Sequence, residues 1–192
     1  GIVDSRNFMV ALQGDAEAHG AVIVLRTTFN RAVKSGSYYR VVVTSEAGDD
    51  TEILCRTIVN CAGHGAHKVA TEIEGVSKAN MPPRYLAKGT YCSVSGVAPF
   101  RHLIYPIPVE GALGIHVTLD LAGQVRIGPN IEWVDELNYS VEAHTAEIFR
   151  RACESYWPSI RERQVTAAYS GVRPKIHGPE HSSADFRIDG PR

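Results

Sequence analysis

Apolar positions along the chain follow two different periods. In residues 4–19, Phe8, Met9, Leu12 and Ala16 fall on one face of a 3.6-residue helix, with Asp4 or Ser5 placed to cap its start and Gly20 to end it. Beyond Gly20 come short runs rich in β-branched residues, 21–25, 38–44 and 52–59, separated by Lys34-Ser35-Gly36-Ser37 and Gly48-Asp49-Asp50. These are predicted strands joined by turns. The last run enters Asn60-Cys61-Ala62-Gly63-His64-Gly65-Ala66-His67, a turn of small residues that lets a ligand come close to the main chain, and a helix is expected over 66–73.

A break at 78–84, containing Met81-Pro82-Pro83, separates this part from one of different texture. Segments 91–94, 102–107, 114–119 and 124–128 are short apolar runs punctuated by Gly and Pro, the spacing of an antiparallel sheet. Residues 141–156 place Val141, Ile148, Ala152 and Tyr156 on a helix-like face stopped by Pro158, and this helix is expected to pack across one face of the sheet. A last strand over 164–172 leads into Arg173-Pro174-Lys175. The pattern predicts an α+β chain in two lobes, 1–75 and 76–172, followed by a return segment, 173–192.

Composition narrows the function classes. The chain has 192 residues, 44% of them hydrophobic and 21% charged. A chain of this size buries roughly 70% of its unfolded surface without help from metals or disulfides. Its 20 Lys and Arg balance 21 Asp and Glu, so neither a nucleic acid nor an anionic membrane is an expected partner. The longest apolar run, 21–25, is far short of the roughly 20 residues that a membrane helix needs. Cys55, Cys61, Cys92 and Cys153 are widely spaced with no C-x-x-C, which suggests free thiols in a reducing, cytoplasmic setting. The chain begins at Gly1 rather than Met and ends at Asp189-Gly190-Pro191-Arg192, which reads as a piece of something longer.

Candidate chemistry is bounded first by exclusion. No G-x-x-x-x-G-K-S/T, H-E-x-x-H or G-x-S-x-G occurs, and Gly63-His64-Gly65-Ala66-His67-Lys68 starts like a dinucleotide fingerprint but lacks its third glycine. His64 and His67, or His177 and His181, invite a metal. Neither pair gathers cysteines or carboxylates and Gly178-Pro179 interrupts the second, so no metal site is expected. Arg173, held by Pro174 after an apolar-aromatic strand, suits bidentate capture of a carboxylate, although a structural ion pair is the simpler alternative. His116, between Ile115 and Val117 and on one strand face with Thr118, is either a general base or a hydrogen-bonded core histidine. Lys88 and Tyr105 either line a polar pocket or are a solvated lysine and a packed tyrosine.

The order of several short motifs shifts these readings. They are Gly1-Ile2-Val3-Asp4-Ser5 with its following helix, Ile58-Val59-Asn60-Cys61-Ala62-Gly63, Lys88-Gly89-Thr90-Tyr91, Pro99-Phe100-Arg101-His102-Leu103-Ile104-Tyr105-Pro106, Gly114-Ile115-His116-Val117-Thr118, Gly128-Pro129-Asn130 and Tyr169-Ser170-Gly171-Val172-Arg173-Pro174-Lys175-Ile176. Together they resemble the FAD-dependent oxidoreductases of the D-amino-acid-oxidase type, and among these the L-2-hydroxyglutarate dehydrogenase/oxidase branch. The resemblance implies a mostly antiparallel substrate-binding sheet with a packed helix, plus part of a glutathione-reductase-like FAD-binding lobe. It implies FAD, with Phe29 near the adenine and the Cys61, Ala62 and Gly63 turn near the dinucleotide. The implied reaction is oxidation of a small 2-hydroxy acid, such as L-2-hydroxyglutarate, to the 2-oxo acid by hydride transfer to the flavin.

In that reaction His116 would take the hydroxyl proton and Arg173 would bind a carboxylate. Lys88 or Lys175 would meet the distal carboxylate, with Tyr91, Tyr105 and Thr118 completing the pocket. The resemblance names no electron acceptor. The family's phosphate-cradling G-x-G-x-x-G and its later glycine-rich cofactor contact do not occur in this sequence, so the chain corresponds to the middle of such an enzyme. By itself it is expected to bind FAD poorly and to be inactive. Two rival readings are amine oxidation like that of glycine or D-amino-acid oxidases, and a non-catalytic ligand-binding module.

Overall fold

Residues 2–107, 114–180 and 187–188 are described by a computed structural model, and the backbone divides after Pro83 into two units. One comprises Arg6–Pro83; the other comprises Arg84–Arg192 with Gly1–Ser5. His181 and most of the last dozen residues lie outside the described residues.

In the Arg6–Pro83 unit the amphipathic segment forms helix α1, Ser5–Ala18, as its period predicts, and Gly20 follows it at φ +88°. Strands β1 (Thr27–Ser35), β2 (Tyr38–Ser45) and β3 (Asp50–Cys55) make an antiparallel meander in the order β1-β2-β3. The predicted strand at 21–25 is absent: the segment has no ladder partner among the described residues, and Val22 and Leu25 are exposed. A β-branched run becomes a strand only where another backbone takes up its N–H and C=O groups, and pairing begins instead after Arg26, at φ 54°. β3 stops at Cys55 rather than continuing to Val59. Helix α2, Ala66–Thr71, follows a single helical turn at Gly63–Gly65. Its exit is tied to β1, where the Ala32 N–H donates to the Glu72 carbonyl and the Glu74 N–H to the Ala32 carbonyl, both at 2.9 Å.

The second unit is built on β4, Tyr85–Val94, which pairs with three other strands. β8, Val165–Lys175, runs antiparallel to its full length on one edge. On the other edge β6 (Val125–Gly128) and β7 (Glu132–Val134) pair with it end to end, and β5 (His116–Leu119) lies outside β6. Helix α3, Thr145–Cys153, is shorter than the predicted 141–156 and supplies Phe149 and Cys153 to a core with Cys92, Val94, Val117, Val125, Ile127, Trp157 and Ile160. Full burial of a Phe or Ile side chain stabilises by about 1.5–3 kcal/mol, so this cluster is what holds the sheet and helix together.

Two expectations are corrected here. Residues 102–107 form no strand; only Ile104 bridges Val117, with reciprocal N–H to carbonyl bonds of 2.9 Å, and Pro106 has no N–H with which to extend the ladder. β8 continues through Arg173 and Pro174 to Lys175 rather than ending at Val172. An edge strand accepts a proline where its missing donor would face outward.

Candidate active site

Strand alternation sorts the side chains of the second unit onto two faces. Cys92 and Val94 enter the core beneath α3, so Leu86, Lys88 and Thr90 belong to that face, while Tyr85, Ala87, Gly89, Tyr91 and Ser93 point the other way. Register then brings neighbours onto this second face: Tyr169 opposite Tyr91, Gly171 opposite Gly89, Arg173 opposite Ala87 and Lys175 opposite Tyr85. A bulge at Ala168 lets Tyr169 match Tyr91 while Ala167 matches Cys92. From the other side Arg126 matches Ser93 and Thr118 matches Arg126, which puts His116, two residues from Thr118, on the same face.

Several of the side chains on this face touch. The Tyr91 and Tyr169 rings stack with centroids 4.9 Å apart, and Tyr105 meets His116 edge-on at 4.4 Å. The Arg126 guanidinium stands 5.4 Å over the Tyr169 ring. Burial raises the Tyr91 phenol above its ordinary pKa, as do the neighbouring Tyr169 and Tyr105 hydroxyls, while the Arg173 charge pulls it down. Tyr91 thus stacks on Tyr169 and feels the charge of Arg173 and the Tyr105 hydroxyl. The Thr118 hydroxyl donates to the Arg126 carbonyl at 3.3 Å.

Arg126 is held in place from its own strand turn. Its Nη2 donates to Asp120 Oδ2 at 3.3 Å. Asp120 Oδ1 accepts the backbone N–H groups of Gln124 and Ala122, each at 2.9 Å. The Gln124 and Ala122 N–H bonds and the Arg126 charge hold the Asp120 carboxyl below the usual carboxylate range, against a weaker desolvation effect. Glycine at position 89 has its own reason: a Cβ there would lie 3.0 Å from Pro129 Cβ. Its absence lets the Gly128-Pro129-Asn130 loop cross the gap between β6 and β7, where Asn130 Oδ1 accepts the Thr90 N–H at 2.9 Å.

Six of the seven substrate-site residues expected from sequence, His116, Thr118, Tyr91, Tyr105, Arg173 and Lys175, therefore belong to one face or touch it. Lys88 does not. It is 6% exposed on the opposite face, and its Nζ lies 4.0 Å from Glu132 Oε2. A buried ammonium requires such a partner, and this one holds it away from Arg173. Sequence reasoning missed Arg126 and Tyr169. The signal for Arg126 was a lone charge between Val125 and Ile127 in an apolar strand, since that alternation exposes it on the face away from the core.

The residues expected beside a cofactor lie in the other unit. Phe29 is half-buried in β1, opposite Val43 and just before a bulge at Asn30. Cys61, Ala62 and Gly63 are exposed in a turn clasped by Asn60, whose Oδ1 accepts the Ala62 N–H at 3.2 Å and whose Nδ2 donates to the Ala66 carbonyl at 2.8 Å. Gly63 is at φ +54° with open space where a Cβ would stand, and the next residue, His64, has a buried Nδ1 with no hydrogen-bond partner among the described residues. An open main-chain turn followed by an unsatisfied buried nitrogen fits a ligand-contacting role such as FAD would occupy. Among the described residues no three His, Cys, Asp or Glu side chains gather as a metal site, and no helix is long and apolar enough to cross a membrane.

Residues 1–191 match the family described as FAD dependent oxidoreductase (DAO). The chain is 32% identical to the L-2-hydroxyglutarate dehydrogenase, mitochondrial, of Arabidopsis thaliana, over 99% of this chain and 47% of that protein. It is 28% identical to the L-2-hydroxyglutarate dehydrogenase of Salmonella houtenae, over 68% of this chain and 30% of that protein. The chain thus spans at most about half the length of these relatives. Among solved structures it resembles the glycine oxidase of Geobacillus kaustophilus, with a TM-score of 0.62 and 18% identity over 86% of this chain and 41% of the other. That likeness bears on the fold.

Proposed function

Because the chain belongs to the FAD-dependent oxidoreductase (DAO) family, we propose that the protein carrying it oxidises a small 2-hydroxy acid, L-2-hydroxyglutarate, to the 2-oxo acid. The observation that carries this reading is that Tyr91, Arg173 and His116, with Tyr105 packed on His116, belong to a single sheet face. The relatives named L-2-hydroxyglutarate dehydrogenase support the choice of substrate.

In this reading Arg173 takes the substrate's C1 carboxylate with its planar fork of donors, and the Tyr91 and Tyr105 hydroxyls orient the molecule against it. The substrate's hydroxyl proton passes to a ring nitrogen of His116 as its carbon loses a hydride, and the C–O bond becomes the carbonyl. FAD, when bound, supplies the two-electron acceptor for that hydride. Phe29 would lie near its adenine, and the main chain at Cys61, Ala62 and Gly63 would flank the dinucleotide. On this view substrate binding rests within 76–172 and its continuation into Arg173, and cofactor contacts within 1–75. Cytoplasmic residence is part of the proposal and is checked by fractionation, since relatives include mitochondrial forms.

The test is flavin reduction in the full-length protein offered L-2-hydroxyglutarate, glycine, sarcosine and D-amino acids in parallel. Bleaching with the hydroxy acid alone is expected. Bleaching with an amine instead would replace the substrate reading with amine oxidation on the same scaffold.

A further inference from the structure

Of the two cations, Lys88 and Lys175, that the sequence offers for the second carboxylate, Lys88 faces the core, paired with Glu132. Among the described residues three cations belong to the site face instead. Arg173 and Lys175 lie toward one end, opposite Ala87 and Tyr85, and Arg126 lies toward the other, opposite Ser93. Ala87 and Ser93 are six residues apart on β4, about 20 Å of extended strand, and the stacked Tyr91–Tyr169 pair stands between them. Arg126 reaches inward to cover the Tyr169 ring. Arg173 makes its charge felt at Tyr91 from the other side.

We propose that Arg126 binds the distal carboxylate of a dicarboxylic ligand whose C1 carboxylate is held by Arg173, and so selects dicarboxylates over monocarboxylates. The inference rests on the 2-hydroxy acid reading above and names the residue that makes the acid a dicarboxylic one. A guanidinium has five N–H donors, and Asp120 takes one of them at 3.3 Å. The Asp120 contact fixes the plane of the fork without using it up. Asp120 is in turn anchored by two backbone N–H groups, so the fork is positioned before any ligand arrives. Lys175 is the competing candidate. It sits two residues beyond Arg173 on the same strand and on the same side of the tyrosine pair, where it duplicates the first cation rather than opposing it.

The inference is tested by binding, which is independent of turnover. Dissociation constants of glutarate and pentanoate are measured on the full-length holoprotein by perturbation of its flavin spectrum, in wild type, Arg126→Met, Arg126→Lys and Lys175→Gln. Wild type is expected to prefer glutarate by on the order of tenfold or more, the worth of one charge-assisted contact. That preference should vanish in Arg126→Met, which keeps an unbranched stem over Tyr169, and survive in part in Arg126→Lys. Should the Met variant fail to fold, partial loss in the Lys variant carries the same conclusion. An undiminished preference in the Arg126 variants, its loss in Lys175→Gln alone, or no preference in wild type would overturn the assignment. Wild-type protein that prefers glutarate yet does not oxidise L-2-hydroxyglutarate would sink the reaction reading while leaving the Arg126 contact standing.

Discussion

The two sheets of this chain are held in different ways. The sheet of β4–β8 closes over a nine-residue buried cluster with α3, whereas in the β1-β2-β3 unit burial reaches only Ala32, Val41 and Val42, and no residue of α1 is buried. Phe8 and Leu12, on the apolar side of that helix, are each 53% exposed. A helix with an amphipathic period and no covered face contributes little to stability, because packing rather than propensity holds most protein helices. The candidate catalytic side chains stand on the sheet with the core. The turn proposed to contact the cofactor stands in the unit where burial reaches only three side chains.

The largest effect should come from breaking that contrast directly. Phe149→Ala removes a fully buried ring from the cluster and should cost about 3–5 kcal/mol in denaturant unfolding, whereas Phe8→Ala should change stability by no more than about 0.5 kcal/mol. Equal losses at the two positions would mean that α1 is covered and that the contrast is false.

Next in size is the proposed proton acceptor. His116→Ala in the full-length flavoprotein should lower kcat on the order of 10²-fold, the usual contribution of a positioned general base. Turnover near wild type would return His116 to a packing role against Tyr105. Arg173→Lys keeps the charge and loses the fork, and kcat/KM for the hydroxy acid should fall by about 2 kcal/mol in transition-state terms. An unchanged kcat/KM would make Arg173 structural.

How much of this was legible in the sequence depends on what each feature requires. α1, β2, β6 and α2 were readable because period and turn residues are local. The strand at 21–25 was misplaced onto an apolar run that has no ladder partner, while β1, with Arg31 and Lys34 among its residues, is set by its pairing with β2. β7 has only three residues, too few for a period. On the site face, parity alone separates Lys88 from Tyr91, three residues apart on one strand, and that much was available from the sequence. The meeting of Tyr91 with Tyr169 was not. It depends on a β4–β8 register across some eighty residues and on the bulge at Ala168, neither of which a local pattern encodes.

The smallest expected effect uses the cysteines as reporters of the same contrast. Cys55 is half-buried and Cys61 exposed in the first unit, and Cys92 and Cys153 are buried in the second. Desolvation, with a smaller contribution from Cys153, pushes the Cys92 thiol up to about 11 from its ordinary 9.0. Desolvation likewise raises Cys153, opposed by the hydrogen bond from the Tyr156 hydroxyl. Because the thiolate is the nucleophile, a maleimide at neutral pH should modify Cys61 first and leave Cys92 and Cys153 unmodified until the sheet unfolds. The same shift fixes a sign for stability. A group whose pKa is higher in the folded chain holds its proton there after the unfolded chain has released it, so the stabilisation is complete below about pH 9 and declines as pH rises toward 11. Denaturant midpoints measured between those values should therefore fall, and fall less in Cys92→Ala once its own loss of packing is subtracted. If Cys92 reacted as fast as Cys61 in the native protein, the β4 core would be open to solvent, and the two sheets would differ in sequence but not in the way they are held.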